Sequence, residues 1–246
     1  MLSKESISTL INERVGVYVY DTVTSTNDVA RELCSDDGCI LVVADGQTNG
    51  KGRQGKSFFS PHDSGLYFSL AIDTDSPAFD FTGVTCAVAV AVSRAILKVA
   101  ETETKIKWVN DLYLGDRKVC GILVQAVNEN GRIRKLIIGV GINISTIDFP
   151  DEIKDIAGSL GKNVDRNVLT AESVNNILEL IFAKSEEYID EYRSKSNVIG
   201  REITYIQNGI SHTATAVDID QKGGLVVRNA KETITLTSGE ISVRFR

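Results

Sequence analysis

The chain has 246 residues, 42% hydrophobic and 24% charged, with a formal net charge of −6. That composition is globular, either one large domain or a medium domain plus a small one, and the acidic excess argues against a nucleic-acid surface as its main business. Four cysteines (Cys34, Cys39, Cys86, Cys120) form no C-x-x-C pair and only two histidines exist, so a structural zinc site is not expected and the thiols read as reduced and cytoplasmic.

Met1 to Glu5 leads into no apolar signal segment, and the apolar stretch around Cys86 to Val92 reads as too short to span a membrane. Ser3 to Glu13 predicts a short amphipathic helix with Ile7, Leu10 and Ile11 on one face. Val15 to Tyr20 is β-branched and aromatic, hence a strand. In Thr22 to Asp28, Ser25 or Thr26 is placed to cap a helix running to about Cys34. The same polar side chains, beside a strand end, read equally well as ligand contacts.

Ile40 to Ala44 predicts the next strand. It runs into Asp45 to Pro61, which holds Gly46, Gly50, Gly52 and Gly55, three cations (Lys51, Arg53, Lys56), and no acid after Asp45. In an acidic chain this is a local choice: glycine lets backbone N–H groups approach a ligand, and the cations supply charge for a phosphate-bearing partner. Gly50 to Ser57 satisfies the P-loop pattern G-x-x-x-x-G-K-[ST]. A P-loop must open a helix, however, and here Pro61 and Gly65 follow, then a strand from Leu66 to Ile72. The pattern matches and its context fails.

Further along, Asp73 to Asp80 reads as a polar loop and Phe81 to Ala100 as an apolar helix buried against a sheet. Thr104 to Trp108 is a strand. Leu112 to Leu114 and Lys118 to Val127 flank a turn at Gly115–Asp116–Arg117. A second hairpin joins Cys120–Val127 to Ile133–Ile144 through Glu129–Asn130–Gly131. Asp148 to Gly161 reads as irregular with one short helix, Ala171 to Arg193 as a long helix with a solvated acidic face, and Ser194 to Asn197 as a linker. Short strands follow at Glu202–Tyr205, Thr213–Asp218, Leu225–Arg228, Thr233–Leu236 and Ser242–Phe245, with turns at Asn208–Gly209 and Gly223–Gly224, which suggests a small β-barrel. The fold class expected is α+β: a mixed β-sheet with helices on one side in residues 1–195, and a small C-terminal β-barrel in residues 198–246.

Four stretches share one resemblance. Thr24–Ser25–Thr26–Asn27, Gly50 to Phe58, Lys107 to Leu123 (KWVNDLYLGDRKVCGIL) and Gly139–Val140–Gly141–Ile142–Asn143 stand in the order of the motifs T-S-T-N, G-R-G-R-x-G-R-x-W, K-W-P-N-D…D-R-K-x-x-G-I-L and G-x-G-I-N. The chain resembles the biotin protein ligases over nearly its whole length, and Gly239 to Arg244 resembles part of their SH3-like C-terminal domain. The resemblance implies a class II synthetase-like fold and an ATP-dependent reaction in two steps. Biotin is activated to biotinyl-5′-AMP with release of pyrophosphate, then transferred to a lysine of a biotin carboxyl carrier domain.

The resemblance also implies residue roles. Arg53 and Lys118 would bridge the biotin carboxylate and the α-phosphate, and Asp111 would position or help deprotonate the acceptor lysine. Ser25, Thr26, Asn27, Gln47, Gly50 and Gly121 would bind biotin. Lys51, Gly52, Phe58, Trp108, Asn110 and Asn143 would line the adenylate site, with Phe58 stacking on adenine. Mg²⁺ is implied by ATP chemistry, with no protein metal ligands expected. Four positions depart from the family's motifs: Lys51 and Lys56 replace arginines, Phe58 replaces a tryptophan and Val109 a proline. The short stretch before the first strand leaves no room for a winged helix, so an enzyme that binds neither DNA nor membrane is expected, with a homodimer possible through edge strands or the Gly131–Ile144 region. A lipoate or octanoate ligase on the same fold, and a non-catalytic biotin-binding module, are the competing readings.

Overall fold

The computed structural model describes residues 1–34, 38–76, 81–182, 187–207, 209–237 and 241–243. Helix α1 (Lys4–Leu10) is capped by Ser3, whose hydroxyl accepts from the Ser6 N–H. Strand β1 (Val15–Val23), helix α2 (Thr26–Leu33) and strand β2 (Cys39–Gln47) follow. The two strands pair in parallel, which requires a crossover, and α2 is that crossover.

Strand β3 (Gly65–Ser76), helix α3 (Phe81–Ala100) and strands β4 (Lys105–Lys107), β5 (Asp111–Leu114), β6 (Arg117–Glu129) and β7 (Arg132–Asn143) complete the main sheet. Its seven strands run in the order β1-β2-β3-β7-β6-β5-β4, antiparallel after the first pair. The β6–β7 hairpin turns at Asn130 and Gly131, whose positive φ values of 50° and 75° are what a tight two-residue turn requires.

Three boundaries differ from expectation. β3 continues past Ile72 through Ser76, where a polar loop was expected; Asp73 faces Lys135 across the ladder with 2.6 Å between their charged atoms, and this pair extends the strand. The rest of that expected loop, residues 77–80, lies outside the described residues. In place of one helix over 171–193 there are α4 (Arg166–Phe182) and α5 (Tyr188–Lys195), with 183–186 outside the description. α4 starts early because the Asp165 carboxylate accepts from the Asn167 N–H at 2.8 Å. The short helix expected within 148–161 is instead a run of hydrogen-bonded turns over 151–156.

Alternation along the strands separates two faces. Leu41, Val43, Phe68 and Leu70 pack into the large core with α3, and α3 packs on α4. Val42, Ala71 and Ile137 point the other way, onto Ala30 and Cys34 of α2. The helical layer therefore covers one face, and short α2 sits alone on the other. α3 also corrects the reading of its apolar stretch. By length and composition it is long enough to cross a membrane, with mean hydropathy 1.7 over Thr82–Ala100, but 72% of that window is buried within the fold.

A second sheet follows: β8 (Glu202–Gln207), β9 (Ile210–Ile219), β10 (Leu225–Arg228), β11 (Thr233–Leu236) and β12 (Ile241–Val243), antiparallel in the order β11-β10-β9-β8-β12. Of the expected Asn208–Gly209 turn only Gly209 is described, and of the tail motif only Ile241–Val243. The sheet is tied back to the first by the Trp108 indole N–H, which donates to the Gly223 carbonyl at 2.8 Å, and by Arg193, which donates to the Ile219 carbonyl at 3.0 Å. Strand β7 pairs on both sides, with β3 and β6, so the Gly131–Ile144 region is interior and offers no free edge; the edges are β1 and β4.

One ionic cluster fixes the far end of the cationic loop. Arg166 pairs with Asp45, which is 9% exposed, and donates to the Gly65 carbonyl at 3.1 Å. The two ring nitrogens of His62 lie 2.8 Å from Asp21 and 2.9 Å from Asp63. Asp21, Asp45 and His62 hold their ligating atoms within 4.8 Å, but Arg166 already neutralises Asp45. Hydrogen bonds with Asp21 and then Asp63 raise the His62 pKa above its ordinary 6.5, and the same histidine lowers both carboxyls below 3.8. The histidine's contribution is complete below its unfolded pKa and is lost as pH rises through the raised folded value. The carboxyls contribute above their unfolded pKa and lose it as pH falls through the lowered one. The stability difference between wild type and His62→Ala is therefore expected to be widest between about pH 4 and about pH 6.5 and to narrow on either side. Thermal melts at low salt across pH 3 to 9 check this; a difference that grows above neutral pH contradicts it.

Candidate active site

The site is built on the sheet face that carries α2. Glycines open it. In the ladder Tyr67, Gly141 and Gly121 stand in one row, and Ser69, Gly139 and Leu123 in the next. The missing side chains leave a trough. A Cβ on Gly139 would fall 2.0 Å from Asn27 Oδ1, and one on Gly141 would fall 2.6 Å from the Phe58 ring. Those two side chains, from α2 and from the cationic loop, fill the space that the glycines vacate.

At the start of α2, Ser25 occupies the N-cap position yet makes no capping hydrogen bond, and it is 1% exposed. The capping reading therefore fails for its hydroxyl, and the ligand-facing reading remains. Thr26 and Gln47 are locked together: Gln47 Oε1 accepts from the Thr26 N–H at 2.8 Å and from its hydroxyl at 3.2 Å, while Gln47 Nε2 donates to Ser60 at 2.9 Å. The Asn27 amide is likewise held, with Nδ2 donating to Gln125 at 2.9 Å and Oδ1 accepting from Ser69 at 2.6 Å.

The cationic loop opens no helix. It folds back on itself as a small hairpin, with a bridge between Lys51 and Ser57 and the Gly52 N–H donating to the Lys56 carbonyl at 2.7 Å. Gln54 and Gly55 turn the tip with φ of 55° and 76°. From the hairpin, Arg53 Nη1 donates to Asn110 Oδ1 at 3.1 Å, and Lys51 reaches out to Asp28 on α2 with 2.5 Å between charged atoms.

Two cavities meet under this hairpin. The first has about 430 Å³ of empty space, part of it open to solvent, and is lined by Ser25, Thr26, Asn27, Gln47, Lys51 and the glycine trough of Gly121, Gly139 and Gly141. The second is larger, lined by Lys56, Ser57, Phe59, Lys107, Trp108, Asp111, Tyr113, Asn143, Phe149, Ile153, Ile156 and Ala157, with Ile241 from the second sheet. Gly52, Arg53, Phe58, Asn110 and Lys118 line both. Lys118 Nζ lies 2.7 Å from Asp111 Oδ1, yet that oxygen has no partner in hydrogen-bonding orientation, so the pair is coulombic and the ammonium is free to turn. Burial, then the nearby Asp111 charge, pushes the Tyr113 phenol up to about 12, which keeps it neutral. Asn143 is 4% exposed; its Nδ2 donates to the Gly158 carbonyl at 3.0 Å and its buried Oδ1 accepts nothing.

The structure thus brings together Ser25, Thr26, Asn27, Gln47, Gly52, Arg53, Phe58, Trp108, Asn110, Asp111, Lys118, Gly121 and Asn143. Three expected residues sit otherwise. Gly50 lines neither cavity; a Cβ there would fall 2.5 Å from the Phe58 carbonyl, so it serves the hairpin's close crossing. Lys51 lines the first cavity and not the second, its charge spent on Asp28. Phe58 lies at the junction against Gly121 and Gly141, edge-on to Tyr67 at 6.4 Å, while the tilted pair Phe59 and Phe149, 6.2 Å apart, stands at the second cavity. The reading from sequence missed Tyr113 and the wall from Phe149 to Ala157. Apolar residues spaced along an irregular stretch (Phe149, Ile153, Ile156) were the available signal. Among the described residues Asp111 is the one carboxylate lining either cavity, and it faces Lys118. A protein-held Mg²⁺ site does not fit that donor set.

Comparison with known proteins agrees with this geometry. The model of the biotin/lipoate A/B protein ligase family matches residues 19–143, and that of the biotin protein ligase C-terminal domain matches residues 198–244. The chain belongs to the biotin/lipoate A/B protein ligase family. The bifunctional ligase/repressor BirA of Bacillus subtilis is 36% identical over 174 residues, 69% of this chain and 54% of that protein. The chain thus spans about half the length of that relative. The biotin–[acetyl-CoA-carboxylase] ligase of Mycobacterium tuberculosis is 25% identical over 94% of this chain and 91% of its own length. Among solved structures, the biotin protein ligase of Aquifex aeolicus in complex with biotin and ATP superposes with a TM-score of 0.79 at 29% identity, covering 93% of this chain and 98% of that one.

The Lys51–Asp28 pair has its side chains 40% and 34% exposed, so it contributes about 0.2–1 kcal/mol, enough to bias a loop but not the fold. Asp28→Asn is expected to raise tryptic cutting at Lys51, Arg53 and Lys56 about two- to five-fold at low salt while leaving the melting temperature within about 1 °C. Timed digestion with intact-mass readout measures it; unchanged cutting shows that the pair does not hold the hairpin down.

Proposed function

We propose that this protein is an ATP-dependent biotin protein ligase. It activates biotin to biotinyl-5′-AMP, releases pyrophosphate, and transfers the biotinyl group to a specific lysine of a biotin carboxyl carrier domain. The observation that carries the reading is the junction: two cavities share Arg53 and Lys118, two cations, at the place where they meet. A ligand in each cavity would present one anion to that point.

In the first step a biotin carboxylate oxygen attacks the α-phosphorus and the bond to pyrophosphate breaks. Bringing carboxylate and phosphate together is opposed by their charges, and the Arg53 guanidinium and Lys118 ammonium offset that repulsion. No protein nucleophile takes part; positioning and charge do the work. In the second step the acceptor amine attacks the mixed anhydride's carbonyl carbon and AMP leaves. Asp111, loosely paired with Lys118, is placed to orient that amine and take its proton.

Ser25, Thr26 and Gln47 offer a rigid polar end to the ureido ring of biotin, and the glycine trough takes its apolar part. Adenine would occupy the second cavity, where Asn143 Oδ1 is a buried acceptor awaiting a donor such as the exocyclic amine. Mg²⁺ enters bound to the triphosphate. Residues 1–195 form the catalytic domain of this proposal and 198–246 its C-terminal SH3-like domain. The acceptor belongs to a biotin-dependent carboxylase, and four free thiols suit a reducing, cytoplasmic setting. Pairing of two copies through edge strand β1 is compatible with the sheet order, whereas the outer side of β4 is already bridged to Ser196 and Asn197. Repression of DNA is left out of the proposal, and the net charge of −6 is against it.

The deciding assay is biotin-dependent exchange of pyrophosphate into ATP, run beside lipoate and octanoate. Exchange is expected with biotin alone, and Lys118→Ala is expected to slow it about 10²-fold or more with the melting temperature kept. Exchange with lipoate and none with biotin would overturn the reading. Wild-type rates in Lys118→Ala would overturn the role of the lysine.

A further inference from the structure

Arg117 stands one residue before Lys118 and lines neither of the two cavities. Its guanidinium nevertheless has a defined task. Nη1 donates to the carbonyl of Lys154 and, at 3.2 Å, to that of Ala157. Its aliphatic stem is covered by Gly158, where a Cβ would fall 2.7 Å from Arg117 Cβ.

The backbone alongside is tied to the same segment. The Lys118 N–H donates to the Ile156 carbonyl at 2.8 Å, and the Gly158 N–H returns to the Lys118 carbonyl at 2.9 Å. From this turn Ile153, Ile156 and Ala157 form one wall of the second cavity. The Gly158 carbonyl also receives the Asn143 amide. The wall, Lys118 and Asn143 therefore share one hydrogen-bonded frame, and Arg117 fastens it from outside.

We propose that Arg117 is a positioning residue that pins the 153–158 turn to the strand bearing Lys118, so that the nucleotide wall and the bridging lysine are set together. The proposal rests on the reading that the second cavity takes ATP. Ile156 is 59% exposed and gives the turn little apolar anchorage, so polar contacts hold it in the free enzyme. Without Arg117, ordering the turn would draw on ATP binding energy. The first cavity takes no side chain from this turn and meets the frame only through Lys118 at the junction, so the effect on biotin binding is smaller than that on ATP.

The test is a KM split in pyrophosphate exchange together with amide hydrogen exchange at Lys118 and Gly158. Arg117→Ala is expected to raise the KM for ATP about tenfold, to leave the KM for biotin within about twofold, and to expose both amides. Arg117→Lys, able to reach one carbonyl, is expected to lie between. Gly158→Ala, which crowds the stem from the other side, is expected to mimic the loss. An unchanged KM for ATP in an active Arg117→Ala enzyme, or equal rises for ATP and biotin, overturns the proposal. If the wild type shows no biotin-dependent exchange, the ligase reading fails and the pin is judged on amide protection alone: unchanged protection in Arg117→Ala overturns it, and selective loss at Lys118 and Gly158 upholds it.

Discussion

Two cations are held at one junction by two adjacent residues. Asn110 receives Arg53 and Asp111 faces Lys118. Like charges brought together repel, so each of the two cations needs a partner of its own to be held at this junction. A neutral amide and a single carboxylate keep them in place without neutralising both. The positions of Asn110 and Asp111 are themselves inherited: Asn110 Nδ2 donates to the Ile122 carbonyl, and two residues before Asn110 Trp108 is anchored on Gly223, in the turn between β9 and β10. The C-terminal sheet thus helps fix the turn on which the charge balance rests, and it adds Ile241 to the cavity wall.

The same constraint explains why the loop resembles a P-loop and behaves otherwise. Both combine glycines, which allow close approach, with cations. In a P-loop a helix N-terminus supplies the field. Here the chain must return antiparallel into β3, so no helix follows, and the field comes from side chains: Arg53 from the hairpin and Lys118 from a strand of the same sheet. The hairpin is set by its own turn, and Asp28 receives its outer lysine. A lysine in place of arginine suits that role, since a point charge on a flexible stem is enough for an exposed carboxylate.

Glycine acts differently at the trough and in the loop. Gly139 and Gly141 have ordinary strand conformations; what matters is the absent Cβ, because Asn27 and Phe58 fill those positions. Substitution there would push α2 and the hairpin off the sheet together. At the hairpin tip Gly55, with φ of 76°, serves backbone freedom, and its Cβ position is open.

Much of the fold was legible along the chain because its causes are local. Alternation gave β10 and β11 to the residue, Asn130–Gly131 announced its turn, and Pro61 ruled out the helix that the loop pattern invited. Motif order placed Arg53, Lys118, Asp111 and Gln47 in one site. Contacts between residues distant in sequence were not legible. That Lys51 would spend its charge on Asp28 and that Gly50 would serve the hairpin's crossing depends on how the loop folds back against α2 and Phe58, and that Arg117 would fasten residues some forty positions away depends on how β6 and the 153–158 turn come together. No local propensity encodes that meeting. The order β3-β7-β6-β5 brings those segments side by side, and only then do hydrogen-bond directions and excluded volume decide which neighbour each side chain meets.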